Sequence, residues 1–281
     1  MKVFFQDRII PEQSARVSVY DHGFLYGDGI YETVHAYDYQ VFHWPEHFRR
    51  LKQSARRLAL RIPWSSGYLL SGITQVLKAN KSPNASVRIT ISRGPGPLGL
   101  DPRLCPKPTL AMLLHPARPL ERLWKNGVSI GITQVRRNHP LCLDPLIKAN
   151  NSLNTILARM EATKMRVFEA VLLNLDGFLT EGTTSNIFFV RRGQIFTPAL
   201  SCGLLEGVTR ASVIRLARRA GIKVHEGRYT PVDLRKADEI FLTSTTLEVV
   251  PVVSVVNRPR RWGVRPGPLT RRLHALFRRL V

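Results

Sequence analysis

The sequence predicts an α+β protein in two halves. Strand-like and helix-like segments come in blocks, without the strict βαβ alternation of a doubly wound sheet. A stretch bearing proline and arginine, "PARPLERLWKNG", reads as a connector between the halves. A length of 281 residues suits two domains of ordinary size or one large one. The expected division is a small N-terminal domain over 1–117, a linker over 118–127 and a larger C-terminal domain over 128–281.

In chain order, "KVFFQDRII" has the pattern of a strand and turn, and "SVYDHGFLYGDGIYETVHAY" that of a loop followed by a strand. "PEHFRRLKQSARRLALRI" is a helix that starts near Pro45 and carries Leu51, Ala55 and Leu58 on one face. "SGYLLSGITQVLKAN" is a second helix, and "SVRITISRG" and "TLAMLLHP" are strands. Beyond the connector come the strand "VSIGITQV", the loop "RRNHPLCLDP" and then Lys148, expected to open the helix that ends near "ARMEATKM". "AVLLNLDGFLTEGTTSNIFFVRRGQIFTP" is a run of strands whose "DG" and "RRG" turns mark hairpins. "EGVTRASVIRLARRAG" is a helix stopped by Gly221, and "EIFLTSTTLEVVPVVSV" is strand, polar turn, strand, with a last helix after it.

Composition narrows the function classes. Hydrophobic residues make up 44%, with 19 Gly and 19 Pro, which excludes a mostly disordered chain. The three cysteines, Cys105, Cys142 and Cys202, are far apart and form no CxxC pair, so neither a disulfide framework nor a zinc cluster is expected. No metal-ligand cluster is visible, and His22 and His35 are assigned structural roles. The opening "MKVFFQDRIIPEQ" reaches charge and proline too soon for a signal peptide, and no apolar run approaches about 18 residues. A soluble cytoplasmic protein with no membrane contact is expected. The formal charge of +22 suits attraction of anionic ligands. Aromatics are only 8% and are not interleaved with the basic runs, so nucleic acid is not the expected partner, and a basic nucleic-acid-binding protein is a remote alternative.

Four features of the second half belong together. Lys148 follows a loop containing proline; Glu181 sits in "LTEGTTSN", where a strand runs into small polar residues. Val208 and Thr209 in "EGVTR" begin a helix whose amides suit an anion, and "TSTT" (243–246) is a hydroxyl-rich turn. A lysine amine for a Schiff base, a carboxylate for a ring nitrogen and two anion cradles are what pyridoxal 5′-phosphate requires. Such a lysine sheds its proton most readily where desolvation and local positive charge favour the neutral amine.

The motifs "YGDGIYETVHAY", "HFRRLKQSA", "LTEGTTSNIFFV", "LLEGVTRASVI", "FLTSTTLEVVPV" and "GPLTRRLHALF" resemble class IV, fold-type IV pyridoxal-phosphate enzymes almost end to end. That family includes branched-chain aminotransferases, D-amino acid transaminases and aminodeoxychorismate lyases. The resemblance implies a small N-terminal α/β domain and a larger C-terminal domain with a barrel-like β core that binds the cofactor. It implies Lys148 as the Schiff-base lysine, Glu181 as partner of the pyridinium nitrogen, and Arg50, Val208, Thr209 and Thr245 around the phosphate, with Asn186 also on the cofactor. On the substrate side it implies Tyr31, Arg88 and Arg93, Leu98 and Gly99 of the mobile "GPGPLGL" loop, and Thr246 at the α-carboxylate. The implied reaction is ping-pong transfer of an amino group between a branched-chain or other hydrophobic amino acid and a 2-oxo acid such as 2-oxoglutarate. D-amino acid transamination and the aminodeoxychorismate lyase reaction stand as alternatives. The family's pockets borrow residues from a neighbouring subunit, which implies a homodimer or higher homo-oligomer.

Overall fold

The computed structural model describes residues 1–116, 120–257, 260–264 and 267–281. The chain forms two compact units, one of 1–118 with 147–152 and the other of 119–146 with 153–281.

The first unit carries a six-stranded sheet in the order β2-β1-β6-β5-β3-β4. Its strands are β1 (Lys2–Phe5), β2 (Arg8–Pro11), β3 (Gly29–Tyr37), β4 (Gln40–Val41), β5 (Ala85–Ser92) and β6 (Thr109–Pro116). Helices α2 (Trp44–Arg57) and α3 (Ser66–Ala79) pack on the sheet; a short helix α1 (His22–Tyr26), absent from the sequence expectation, precedes β3. Pro45 sits in the first turn of α2, as the fixed φ of proline favours. The Ser65 hydroxyl accepts from the Tyr68 amide (3.1 Å) and caps α3. Along β3, side chains alternate between buried and half-buried, so one face of the strand enters the core and the other does not. Ile30, Val34, Leu51, Ile73, Leu77, Ile89 and Met112 build that core.

The second unit carries a nine-stranded sheet that curls into a half-barrel, the expected fold. It begins with helix α4 (Glu121–Asn126) and β7 (Val128–Arg136). Of the expected linker, residues 118 and 119 lie outside the described residues, and the rest is mostly α4. There follow α5 (Leu153–Met165), β8 (Glu169–Leu173), β9 (Leu179–Gly182), β10 (Asn186–Arg191), β11 (Gln194–Pro198) and α6 (Val208–Arg219). The remainder is β12 (Val224–Gly227), α7 (Pro231–Arg235), β13 (Glu239–Ser244), β14 (Glu248–Asn257), β15 (Arg260–Gly263) and α8 (Pro268–Arg278). The strands run β12-β11-β10-β13-β14-β7-β8-β9, with β15 on β14; β7 is parallel to β8 and β14. One core is built from Ile130, Ile187, Phe189, Leu242, Val250 and Val252. Phe188 and Phe241 stack at 4.9 Å, one on each of two paired strands.

Lys148 does not open a helix. Helix α5 starts at Leu153, and the lysine lies in an irregular stretch tied to β3 by the bridge of Ala149 with Ile30. The Lys148 carbonyl accepts from the Tyr31 amide (2.9 Å), and the Asn150 amide donates to the Gly29 carbonyl (2.8 Å). With its peptide groups engaged by a strand, the stretch cannot also make the i to i−4 bonds of a helix.

Replacing Ile89, fully buried on the central strand β5, by alanine is expected to lower stability by about 2–5 kcal/mol. Denaturant unfolding followed by circular dichroism checks this, and a change below about 0.5 kcal/mol would be typical of a surface position instead.

Candidate active site

In the first unit the candidates gather on both faces of β3. On the half-buried face, the Arg88 guanidinium carbon lies 3.7 Å from the Tyr31 ring centroid and the Lys148 Nζ lies 4.3 Å from it. Register explains the meeting: Tyr31 pairs with Thr90 and Thr33 with Arg88, so β5 places Arg88 diagonally beside the ring. Arg88 Nε donates to the Thr90 hydroxyl (3.2 Å), which steadies it there. The positive charge of Lys148 pulls the Tyr31 phenol below its usual pKa; burial opposes this, while Arg88 and a hydrogen bond from Lys148 reinforce it. The Lys148 backbone amide donates to the Ser54 hydroxyl (3.1 Å), so the lysine is tied to α2 as well as to β3.

On the core face of β3, Glu32 is fully buried. Arg50 Nε donates to its Oε1 (2.7 Å) and Nη2 to its Oε2 (2.8 Å), and His47 Nδ1 lies 2.8 Å from Oε2. Burial alone would raise the Glu32 pKa. The Arg50 charge and the hydrogen bonds from Arg50 and His47 outweigh it and hold the carboxyl far below the usual range. Burial lowers the His47 pKa against the pull of Glu32. Burial thus favours the neutral imidazole of His47, which sits beside a bidentate ion pair. Arg50, expected at a phosphate, thus has two donors committed to Glu32.

Arg93, expected on the substrate side, is bonded within the first unit. Its Nε and Nη2 donate to Asp28 (2.8 and 3.1 Å), Nη1 to the Ala59 carbonyl (2.9 Å) and Nη2 to the Leu58 carbonyl (2.8 Å). Those carbonyls are left open where α2 ends and Ala59 turns to φ +48°, so the arginine caps a helix C-terminus. Leu98 is exposed, and Gly99, at φ +145°, donates its amide to the Tyr26 hydroxyl (3.2 Å). The loop expected to be mobile is therefore tied to α1, with a second tie between His22 Nε2 and the Pro97 carbonyl (2.9 Å).

The second unit holds the other candidates. Glu181, at the end of β9, accepts from Arg137 Nε (2.8 Å) and from the Leu205 amide (3.1 Å). Asn186 opens β10 and donates to the Leu205 carbonyl (3.1 Å), so both residues are fixed to the loop before α6. Helix α6 begins at Val208 and Thr209 after Gly207, and no side chain caps its amides. A Cβ on Gly207 would lie 2.0 Å from Asn186 Oδ1, which is why glycine stands there. Thr243 is buried with a hydroxyl that has no protein partner. In the turn that follows, the Leu247 amide donates to the Ser244 hydroxyl (3.2 Å), Thr245 is half-buried and Thr246 exposed. Glu248, at φ +61°, closes the turn and is held by His274 Nε2 (2.9 Å) and Arg278 Nη1 (2.8 Å) from α8.

Each unit by itself carries groups of the kind that pyridoxal phosphate requires. In the first unit an amine is held against an aromatic ring. In the second are a carboxylate paired with arginine, an uncapped helix N-terminus and a buried hydroxyl lacking a partner. Among the described residues no group of three or more His, Cys, Asp or Glu could hold a metal ion.

Glu32, His47 and Arg137 were missed from the sequence. Glu32 was detectable in principle, because the alternation of "GIYETVHAY" puts a carboxylate on the apolar face, and such a group demands a partner. Arg137 carried no signal, since its partner is 44 positions away.

The sequence profile of amino-transferase class IV matches residues 29–255. A putative branched-chain-amino-acid aminotransferase of Methanocaldococcus jannaschii is 40% identical over 278 residues, 99% of this chain and 96% of the relative. A D-alanine aminotransferase of Bacillus licheniformis is 31% identical over 281 residues, 100% of this chain and 97% of the relative. Among solved structures, the branched-chain aminotransferase of Thermoproteus uzoniensis with norvaline superposes with a TM-score of 0.91 at 31% identity, covering 99% of this chain and 94% of that one.

Breaking the buried pair by Glu32→Gln is expected to cost about 3–5 kcal/mol at neutral pH, because the Arg50 charge is left uncompensated. The folded Glu32 pKa is depressed, so the wild-type advantage is complete above the unfolded carboxylate value, about pH 4.3, and shrinks as pH falls below it. Denaturant unfolding of both proteins between pH 7 and 3 measures this; a gap that widens on acidification would contradict the assignment.

Proposed function

The chain belongs to the class IV aminotransferases, and from that premise we propose that it moves an amino group between a branched-chain or other hydrophobic amino acid and a 2-oxo acid, with pyridoxal phosphate as cofactor. The observation that carries the reading is the stack of Arg88, Tyr31 and Lys148. When bound, the cofactor supplies an electron sink for the carbanion formed at the amino acid's Cα. Lys148 Nζ would take the proton from the amino acid's Cα and pass it on to the cofactor, as a positioned general base with neighbouring positive charge. Tyr31 offers an apolar face to the substrate, and Arg88 presents a planar guanidinium to a substrate carboxylate. Glu181, held by Arg137, would supply the negative charge for the cofactor's ring nitrogen. In the second unit the Val208 and Thr209 amides, Thr245 and the α6 dipole would hold the phosphate.

The D-alanine aminotransferase relative supports a second reading, in which the donor is a D-amino acid. Self-association is also part of the proposal. Leu153, Ile156, Leu157 and Met160 are exposed at i, i+3, i+4 and i+7 on α5, an apolar stripe that suits a second copy of this chain. Among the described residues no helix is long and apolar enough to cross a membrane.

A panel of L- and D-amino acids, added to cofactor-loaded protein without acceptor, tests the reaction through the visible absorbance. Hydrophobic L-amino acids are expected to shift it; a response confined to D-amino acids selects the second reading, and no response to any refutes transamination. Lys148→Ala is expected to lower turnover by at least about 10³-fold, and Arg88→Leu to raise the acceptor KM about tenfold or more. Light scattering is expected to find a dimer or larger assembly, reduced to monomer by Ile156→Glu.

A further inference from the structure

The turn between β9 and β10 is built around a carboxylate that belongs to neither strand. Glu169, the first residue of β8, is 2% exposed. Its Oε1 accepts from the Ala170 amide (2.9 Å), the Thr183 amide (3.2 Å) and the Thr183 hydroxyl. Its Oε2 accepts from the Thr184 amide (3.3 Å), the Thr184 hydroxyl (3.1 Å) and the Ser185 hydroxyl (3.1 Å). The hydroxyls of "EGTTSN" therefore turn inward onto this acid. A carboxylate has about four lone-pair sites, so these donors saturate it and leave nothing for a ligand.

Two residues of the proposed site flank the turn. Glu181 precedes Gly182 and Asn186 follows Ser185. Gly182 is where the chain pinches: a Cβ there would lie 2.3 Å from Ser185 Oγ and 3.1 Å from the Glu169 carboxyl carbon. The backbone already closes the turn through the Gly182 amide and the Ser185 carbonyl (2.6 Å). A buried acid is not needed for that closure, and burying one is costly unless every lone pair is met. What a saturated polar cluster adds is one directional arrangement of the turn.

We propose that Glu169 is a positioning residue that fixes the 182–185 turn and thereby sets the place and angle of the Glu181 carboxylate, an inference that rests on the cofactor reading above. Glu169→Gln presents a donor amide to the Thr184 and Ser185 donors, so the turn loses its single arrangement while side-chain volume is kept.

The test measures pyridoxal phosphate affinity of the apo-protein, the pH midpoint of the bound cofactor's visible absorbance, and melting temperature, for wild type, Glu169→Gln, Glu181→Gln and the double variant. Glu169→Gln is expected to weaken cofactor binding about tenfold and to move the absorbance midpoint. In the Glu181→Gln background it is expected to change neither, because it acts through Glu181. Equal losses in both backgrounds, or wild-type affinity and midpoint in Glu169→Gln, would overturn the proposal. Should Glu169→Gln fail to fold, Ser185→Ala removes one donor at smaller cost and carries the same comparison. A wild-type protein that binds no pyridoxal phosphate overturns the functional reading, and this one with it; binding that is indifferent to Glu169 overturns this one alone.

Discussion

The arrangement in the first unit depends on one buried interaction, the bidentate pair of Glu32 and Arg50 with His47 beside it. Strand β3 is amphipathic by geometry: its odd positions face one way and its even positions the other. Glu32 shares its face with Ile30, Val34 and Ala36, where an ionised group survives only if it is fully hydrogen-bonded. The helix that covers that face supplies both partners one turn apart, at positions 47 and 50. Helix and strand are thus locked in register by a polar contact inside an apolar layer. Tyr31, the next residue on the opposite face, inherits that register, and so does the place where Lys148 and Arg88 meet its ring.

The second unit solves the same problem with different chemistry. Glu169, Glu239 and Glu248 are each buried, and each gathers donors from a segment that would otherwise be a free loop or helix end. Glu239 accepts from the Leu269 and Thr270 amides at the start of α8 (3.0 and 2.8 Å), and Glu248 accepts from His274 and Arg278 further along the same helix. The hydroxyl-rich turn at 244–247 is thereby clamped by α8. For a chain with +22 net charge, buried acids recur as organisers of the fold, and among the described residues most arginines are exposed.

The strands and helices were largely legible because periodicity, proline at a helix start and glycine at a helix end are local signals. The lysine, Glu181 and the α6 N-terminus were legible as types of chemistry for the same reason. What escaped was non-local. Arg137 and Glu181 are brought together only by the sheet, and the bonds from Arg93 to the carbonyls at the end of α2 join positions more than thirty apart. The stretch around Lys148 has the look of a helix start, yet pairing with β3 overrides that local tendency. The short elements α1, α7, β12 and β15 offered too few residues for a period to emerge.

The grouping of 147–152 with 1–118 has a consequence for how such a protein can arise and be taken apart. The lysine is encoded within the second unit's sequence but structurally belongs to the first. A gene fragment ending near the connector would yield a first unit lacking its amine, and the complementary fragment would carry that amine on a stretch stripped of the strand that orders it. Neither piece is an exchangeable cassette. Recombination between relatives would succeed only where both parents keep β3 and the lysine stretch as a matched pair, which makes the chain a single unit of inheritance even though it forms two compact units.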